Sequence, residues 1–175
     1  MTKKIICSGG EEILVDDEDY PVLSRHKWHY TANGSKTRYY AVTRLNTRDK
    51  TVRTIFMHSM IMGFAFYVDH RDNDTKNNTK DNLRPASWQE NGWNRGKPKS
   101  GRHGKPTSQY KGVSYAPLKD KDRWVALIKH VEPGKHKSTG KVIRLGYFDT
   151  AREAALAYDK KVLELRGEWA WTNIL

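Results

Sequence analysis

The chain has 175 residues, with 32 Lys and Arg against 20 Asp and Glu, a formal charge of +12, and 37% hydrophobic residues. That length excludes a large single-core enzyme, and six Trp, nine Tyr and four Phe exclude a disordered chain. A lone cysteine, Cys7, excludes a disulfide framework or a cysteine-based zinc site, and no apolar run approaches the roughly 20 residues that cross a bilayer.

In chain order, Met1-Thr2-Lys3-Lys4 leads into too few apolar residues for a signal peptide. A soluble cytoplasmic protein with phosphate-bearing partners and no membrane is therefore expected. Ile13-Leu14-Val15 predicts a short strand, and Asp16-Asp17-Glu18-Asp19 the acidic first turn of a brief helix through Leu23. Trp28-His29-Tyr30 and Tyr39-Tyr40-Ala41-Val42 predict a hairpin turning at Asn33-Gly34. A second hairpin joins Ala41–Leu45 to Val52–Met57. His58–Phe64 predicts a short helix, Val68-Asp69-His70 a strand end, and Ser87-Trp88-Gln89-Glu90 a capping box that puts Asn91 in the first turn of a helix.

Residues 94–108 carry Arg95, Lys97, Lys99, Arg102 and Lys105, no acid and no large apolar side chain. They predict a flexible basic linker whose cations contact a nucleic-acid backbone. The expected organisation is an N-terminal domain over 1–93, this linker, and a C-terminal domain over 109–175.

In the last region Lys111–Tyr115, Trp124–Lys129 and Val142–Phe148 alternate as strands. Thr150-Ala151-Arg152-Glu153 is a second capping box. Ala151, Ala154, Ala155, Tyr158, Val162 and Leu165 form one helical stripe, and Gly167 supplies the stop. Three strands and one helix make a two-layer domain that leaves one sheet face open. The fold class expected for the whole chain is α+β.

Asp69 and His70, with Asn82 and Asn91 downstream, are the candidate chemistry. A carboxylate beside an imidazole offers a hard-metal ligand and a general base. Strand alternation sends the two to opposite sides, so they could serve a metal and a water without competing. A carboxylate with an amide oxygen suits Mg²⁺ or Mn²⁺ and suits zinc poorly. By residue type alone, an ordinary polar connection explains the same set.

Phe56-Met57-His58-Ser59-Met60-Ile61-Met62-Gly63, Val68-Asp69-His70, Asn77-Asn78, Asp81-Asn82-Leu83-Arg84, Glu90-Asn91 and Asn94 occur in the order that resembles the phage HNH homing endonucleases. That resemblance implies a β-hairpin and helix gripping one divalent metal (the ββα-metal fold). It implies Asp69 and Asn91 as metal ligands, His70 as general base and Asn82 as the residue that shapes the loop. Ser59 stands where relatives often have Arg, so Arg84 or Arg71 is expected to meet phosphate instead. Arg71 is also expected to lower the pKa of His70. His58 reads equally as a structural histidine or a phosphate contact.

Tyr110-Lys111-Gly112-Val113, Arg123-Trp124-Val125-Ala126, Arg144-Leu145-Gly146-Tyr147-Phe148, Ala157-Tyr158-Asp159 and Asn173 resemble the plant ethylene-response-factor (apetala-type) DNA-binding domain. In that family the sheet lies in the major groove, which implies DNA contacts from Lys111, Ser114, Arg123, Trp124, Lys129, Arg144 and Tyr147. Trp124 reads alternatively as a core aromatic. A basic insertion, Glu132 to Lys141, is expected to add phosphate contacts. Together the readings predict a metal-dependent, site-specific endonuclease acting on double-stranded DNA. It would be a monomer or weak dimer without an organic cofactor, nicking one strand per active site. The rival readings are a DNA-binding regulator without catalysis and an RNA-binding module.

Overall fold

The computed structural model describes residues 1–33, 38–46, 50–64, 67–97, 108–117, 122–132 and 139–175. These form a mixed α+β protein of small antiparallel sheets and few helices. The chain divides into two compact units, Met1–Gly92 and Trp93–Leu175.

In the first unit β1 (Thr2–Ile6) pairs with β2 (Glu12–Asp16). The sequence reading missed β1, because Lys3 and Lys4 dilute its apolar signal. The acidic run is not a first helical turn: Asp19 is the N-cap of α1 (Tyr20–Leu23), and Pro21 sits just inside the helix. Proline fits there because its missing N–H has no helical partner to lose.

β3 (His29–Ala32), β4 (Tyr39–Asn46) and β5 (Val52–Phe56) form an antiparallel meander, with His29 opposite Val42 and Val42 opposite Phe56. Both expected hairpins are present. In the first, Ala32 faces Tyr39 and Asn33 N–H donates to Arg38 O, and Gly34 lies outside the described residues. Ile5, Cys7, Ile13, Val15, Leu23, Trp28, Ala41 and Met57 form one core, in which the Trp28 Nε1–H donates to Leu23 O at 2.8 Å. Burying the indole with its N–H satisfied avoids the cost of an orphaned donor.

α2 (Met57–Ile61) follows, then β6 (Val68–His70), β7 (Leu83–Pro85) and α3 (Trp88–Trp93). β6 and β7 pair antiparallel, with Asp69 opposite Arg84. Ser87 and Glu90 close the expected capping box at 2.7 and 3.1 Å. The loop from β6 to β7 is clamped to β2, since Leu14 N–H donates to Lys76 O and Asn78 N–H to Leu14 O, both at 2.8 Å.

In the second unit β8 (Val113–Pro117), β9 (Asp122–His130) and β10 (Lys141–Phe148) form a meander with β9 central. α4 (Ala151–Arg166) starts in the expected capping box and ends at Gly167. Val113, Ala126, Ile128, Ala154, Ala155, Tyr158 and Val162 make its core. Gly112 has φ +74°, and a Cβ there would stand 2.2 Å from the Tyr158 ring, so only glycine fits. Fully buried Asp159 accepts from the backbone N–H of Asn173 and Ile174 at 2.8 and 2.7 Å, and it also holds the Asn173 amide. Those bonds fasten the C-terminal strap to α4.

Positions 93–97 are docked on this unit rather than forming part of a solvated tether. Asn94 is buried, and Lys97 Nζ donates to Ser108 O and Tyr110 O at 2.6 and 3.1 Å. Positions 98–107 of the expected linker, with Lys99, Arg102 and Lys105, lie outside the described residues, as does most of the expected basic insertion after Glu132.

Candidate active site and nucleic-acid interface

The short hairpin β6–β7 sends its side chains alternately to two sides. On one side Arg84 Nε and Nη2 both donate to Asp69 Oδ2, at 3.0 and 2.9 Å, with both residues almost fully buried. Arg84 was expected at the surface on a phosphate. Its register opposite Asp69 turns it inward, because a buried carboxylate needs a compensating charge.

On the other side the His70 ring, 3% exposed, packs with a group of rings. Its centroid lies 5.3 Å from His58, edge to face, and 6.3 Å from Tyr40. His58 stacks on Phe56 at 5.3 Å. Enclosure by these rings, and secondarily the neighbouring His70, pushes the His58 pKa down to about 3. It is neutral at physiological pH, which favours its structural reading over a phosphate contact.

Asn78 donates through Nδ2 to Thr75 O at 3.0 Å, which turns its Oδ1 to His70 Nε2 at 3.4 Å. An acceptor at Nε2 selects the Nε2–H tautomer and puts the neutral ring's lone pair on Nδ1. Burial lowers the pKa of His70, opposed by Asn78, Asp72 and Asp69, and Arg38 lowers it further. The expected contributor, Arg71, is not among these causes. A neutral imidazole at pH 7 is the form a general base requires.

Asn82 ties the intervening loop together. Its Oδ1 accepts from Asp72 N–H at 3.0 Å, and its Nδ2 donates to Asp72 Oδ1 and Asn77 O at 2.9 and 2.7 Å. Asn91 Nδ2 donates to Val68 O at 3.2 Å, which fixes α3 against the start of β6 and reserves the amide oxygen as its acceptor. The fold therefore brings Asp69, His70, Asn82 and Asn91 to one hairpin and its following helix. Tyr40, Asp72 and Asn78 join them without having been singled out for a role. The run of polar residues from Arg71 to Asp81 was the available signal, but nothing in it ranks one carboxylate or amide above another.

No family model and no solved structure matches the chain. Over 164 residues the chain is 25% identical to a protein of Acanthamoeba polyphaga mimivirus named as an uncharacterized HNH endonuclease, covering 94% of this chain and 75% of that one. The chain is similar to that protein across both of its units.

By residue type alone, Asp69 on β6 and Asn91 on α3 match a hard divalent cation, and Asp69 Oδ2 already accepts both Arg84 bonds. One carboxylate and one amide oxygen are the ligands Mg²⁺ accepts while keeping several waters. Among the described residues no three His, Cys, Asp or Glu converge.

In the second unit the pairing of Ala116 with Arg123, Ser114 with Val125, Leu127 with Arg144 and Val125 with Tyr147 puts Ser114, Arg123, Arg144 and Tyr147 on the face away from α4. Lys129, two residues beyond Leu127, joins them. Arg144 lies over the Tyr147 ring at 5.6 Å, and Arg123 reaches Asp149 at 3.9 Å. Lys129, Arg144 and Tyr147 are exposed. Trp124 shares its side with Ala126 and Ile128 and packs against the core, so the core reading fits it and the DNA contact does not.

Lys111 was also expected on DNA. Its Nζ instead donates to Trp93 O and Arg95 O at 2.9 and 2.5 Å, and burial pulls its pKa down to about 8. Lys97 is turned inward in the same way, whereas Arg95 is exposed.

Proposed function

We propose that this chain is an HNH-type endonuclease that hydrolyses phosphodiester bonds of double-stranded DNA with one divalent cation. The supporting observation is the β6–β7–α3 arrangement of Asp69, His70, Asn82 and Asn91 in a chain similar to a protein named as an HNH endonuclease. Asp69 and Asn91 would hold Mg²⁺ or Mn²⁺. When bound, that cation neutralises charge on the phosphate and leaving oxygen.

The chain's own residues supply the rest of the chemistry. Neutral His70 takes a proton from water at its free-base nitrogen, and the hydroxide so formed attacks the phosphorus in line. Asn78 holds the ring in the required tautomer, and the packing of His58 and Tyr40 fixes its plane. Asn82 keeps the loop after His70 closed, so the imidazole cannot swing away. Products are a 3′-hydroxyl and a 5′-phosphate, with one strand nicked per site.

The open face of the β8–β10 sheet, with Ser114, Arg123, Lys129, Arg144 and Tyr147, reads duplex DNA in this proposal, Arg being the usual bidentate partner of guanine. Exposed Arg95 adds a backbone contact. A site-preferring nuclease of this layout suits a homing role in a phage or its bacterial host.

A second reading has one observation in its favour. Arg84 already neutralises Asp69 from within the protein, as it would in a DNA-binding regulator with no catalysis. Conversion of supercoiled plasmid to open circles decides between them. The nuclease reading expects nicking with Mg²⁺ that stops with chelator and with Asp69→Ala. The regulator reading expects DNA binding and no nicking under any metal.

A further inference from the structure

Two exposed aromatic residues lie two and three positions before the candidate cation ligands Asp69 and Asn91, and the proposed chemistry gives them no role. Tyr67 is 48% exposed and Trp88 57%. The β6–β7 ladder runs one residue past each strand end: Ala86 N–H donates to Tyr67 O at 3.0 Å and Arg71 N–H to Asn82 O at 2.9 Å. Both bonds continue the register in which Val68 faces Pro85 and His70 faces Leu83. Strand alternation therefore extends to positions 67 and 71, so Tyr67, Asp69 and Arg71 share one side of the hairpin.

On α3, Trp88 precedes Asn91 by three residues, the spacing that puts two side chains on one helix face. Asn91 bonds to Val68 O, which holds that face to the start of β6. Each ligand candidate thus has an exposed ring immediately upstream on its own face, one from the strand and one from the helix. Arg71, exposed on the same line as Tyr67 and Asp69, brings positive charge for a phosphate.

A flat ring beside a phosphate-holding site is matched by a nucleobase. Bases stack on Tyr and Trp regardless of sequence. Inside a duplex those base faces are already covered, and exposing them costs least where pairing is disrupted.

We propose that Tyr67 and Trp88 stack on unstacked bases next to the phosphate held at Asp69 and Asn91. The preferred substrate is then DNA opened locally at the cut rather than continuous duplex. This deepens the nuclease reading and takes the position of the phosphate from it.

The test uses the full chain in chelator. Its affinity is compared for a labelled duplex and for the same duplex carrying a small mismatch bubble, at matched salt. Wild type favours the bubble, and Tyr67→Ala and Trp88→Ala each reduce the preference, by roughly five- to a hundredfold where a base stacks fully. Trp88→Phe retains most of it, and circular dichroism checks that each variant is folded. Equal binding of both DNAs by wild type overturns the proposal, as does a preference that survives both alanine changes. Adding Mg²⁺ afterwards separates the two readings. Bubble preference without cutting keeps the stacking surface and removes the nuclease, whereas cutting without preference keeps the nuclease and removes the stacking surface.

Discussion

The β6–β7 hairpin of the first unit and the open sheet face of the second treat polar side chains in opposite ways. Around β6 and β7 the polar groups are interior: Asp69, His70, Asn82 and Arg84 are all less than a tenth exposed and are held by other side chains or backbone. On the β8–β10 sheet the cations sit on an open face, with Lys129 and Arg144 in solvent. Burial changes what a group is, by fixing its tautomer, ionisation and direction. Exposure leaves it an ordinary charge that meets a large partner. The first arrangement suits chemistry and the second suits reading, and the difference gives the units different responses to mutation.

The largest expected contrast is in stability. Arg84→Met leaves the Asp69 carboxylate buried without its partner and should cost about 3–5 kcal/mol. Arg144→Met on the open face should change stability by no more than about 0.5 kcal/mol. Urea unfolding of both variants checks this, and equal effects would break the comparison. Asn82→Ala should fall between them, at about 1–3 kcal/mol, because it removes one side chain that satisfies three partners around Asp72 and Asn77.

Binding should show the reverse ranking. Arg144→Ala and Arg123→Ala should each weaken DNA affinity and lower the slope of log affinity against log salt by about 1 where the guanidinium meets a phosphate. Titration at several salt concentrations measures both. Lys111→Ala should leave that slope unchanged, because its ammonium is spent on two backbone carbonyls.

The smallest effect concerns pH. The folded state holds the His58 pKa near 3, below its usual value of about 6.5. Between those values the unfolded chain binds the extra proton and the folded chain does not. The contribution of His58 is therefore complete above about pH 6.5 and is lost progressively as pH falls towards 3. Melting temperature across that range should flatten in His58→Phe, which keeps the ring against Phe56 and Tyr40 but cannot titrate.

How much the sequence revealed follows the same division. In the second unit, alternation in β9 and the stripe from Ala151 to Leu165 were legible because one periodic pattern meets one core. The facing of Trp124 was not, since its near neighbours on the strand are apolar on both sides. In the first unit, Asp69 and His70 stood out on a strand of three residues, too short to show a period. That Arg84 pairs with Asp69 depends on the register of β6 with β7, and register is set by a loop whose hydrogen bonds link Asp72, Asn77 and Asn82. Lys97 and Lys111 read as DNA contacts because charge is visible in sequence, whereas a carbonyl waiting to accept it is not.

In the proposed reaction the interior imidazole of the first unit performs the cut. Nicking of supercoiled plasmid in Mg²⁺ by wild type and by folded His70→Ala, at protein concentrations that saturate binding, tests it most directly. Wild type should give open circles, and His70→Ala should lose roughly 10²- to 10⁴-fold in rate with DNA affinity retained. Equal nicking by the two proteins would contradict it.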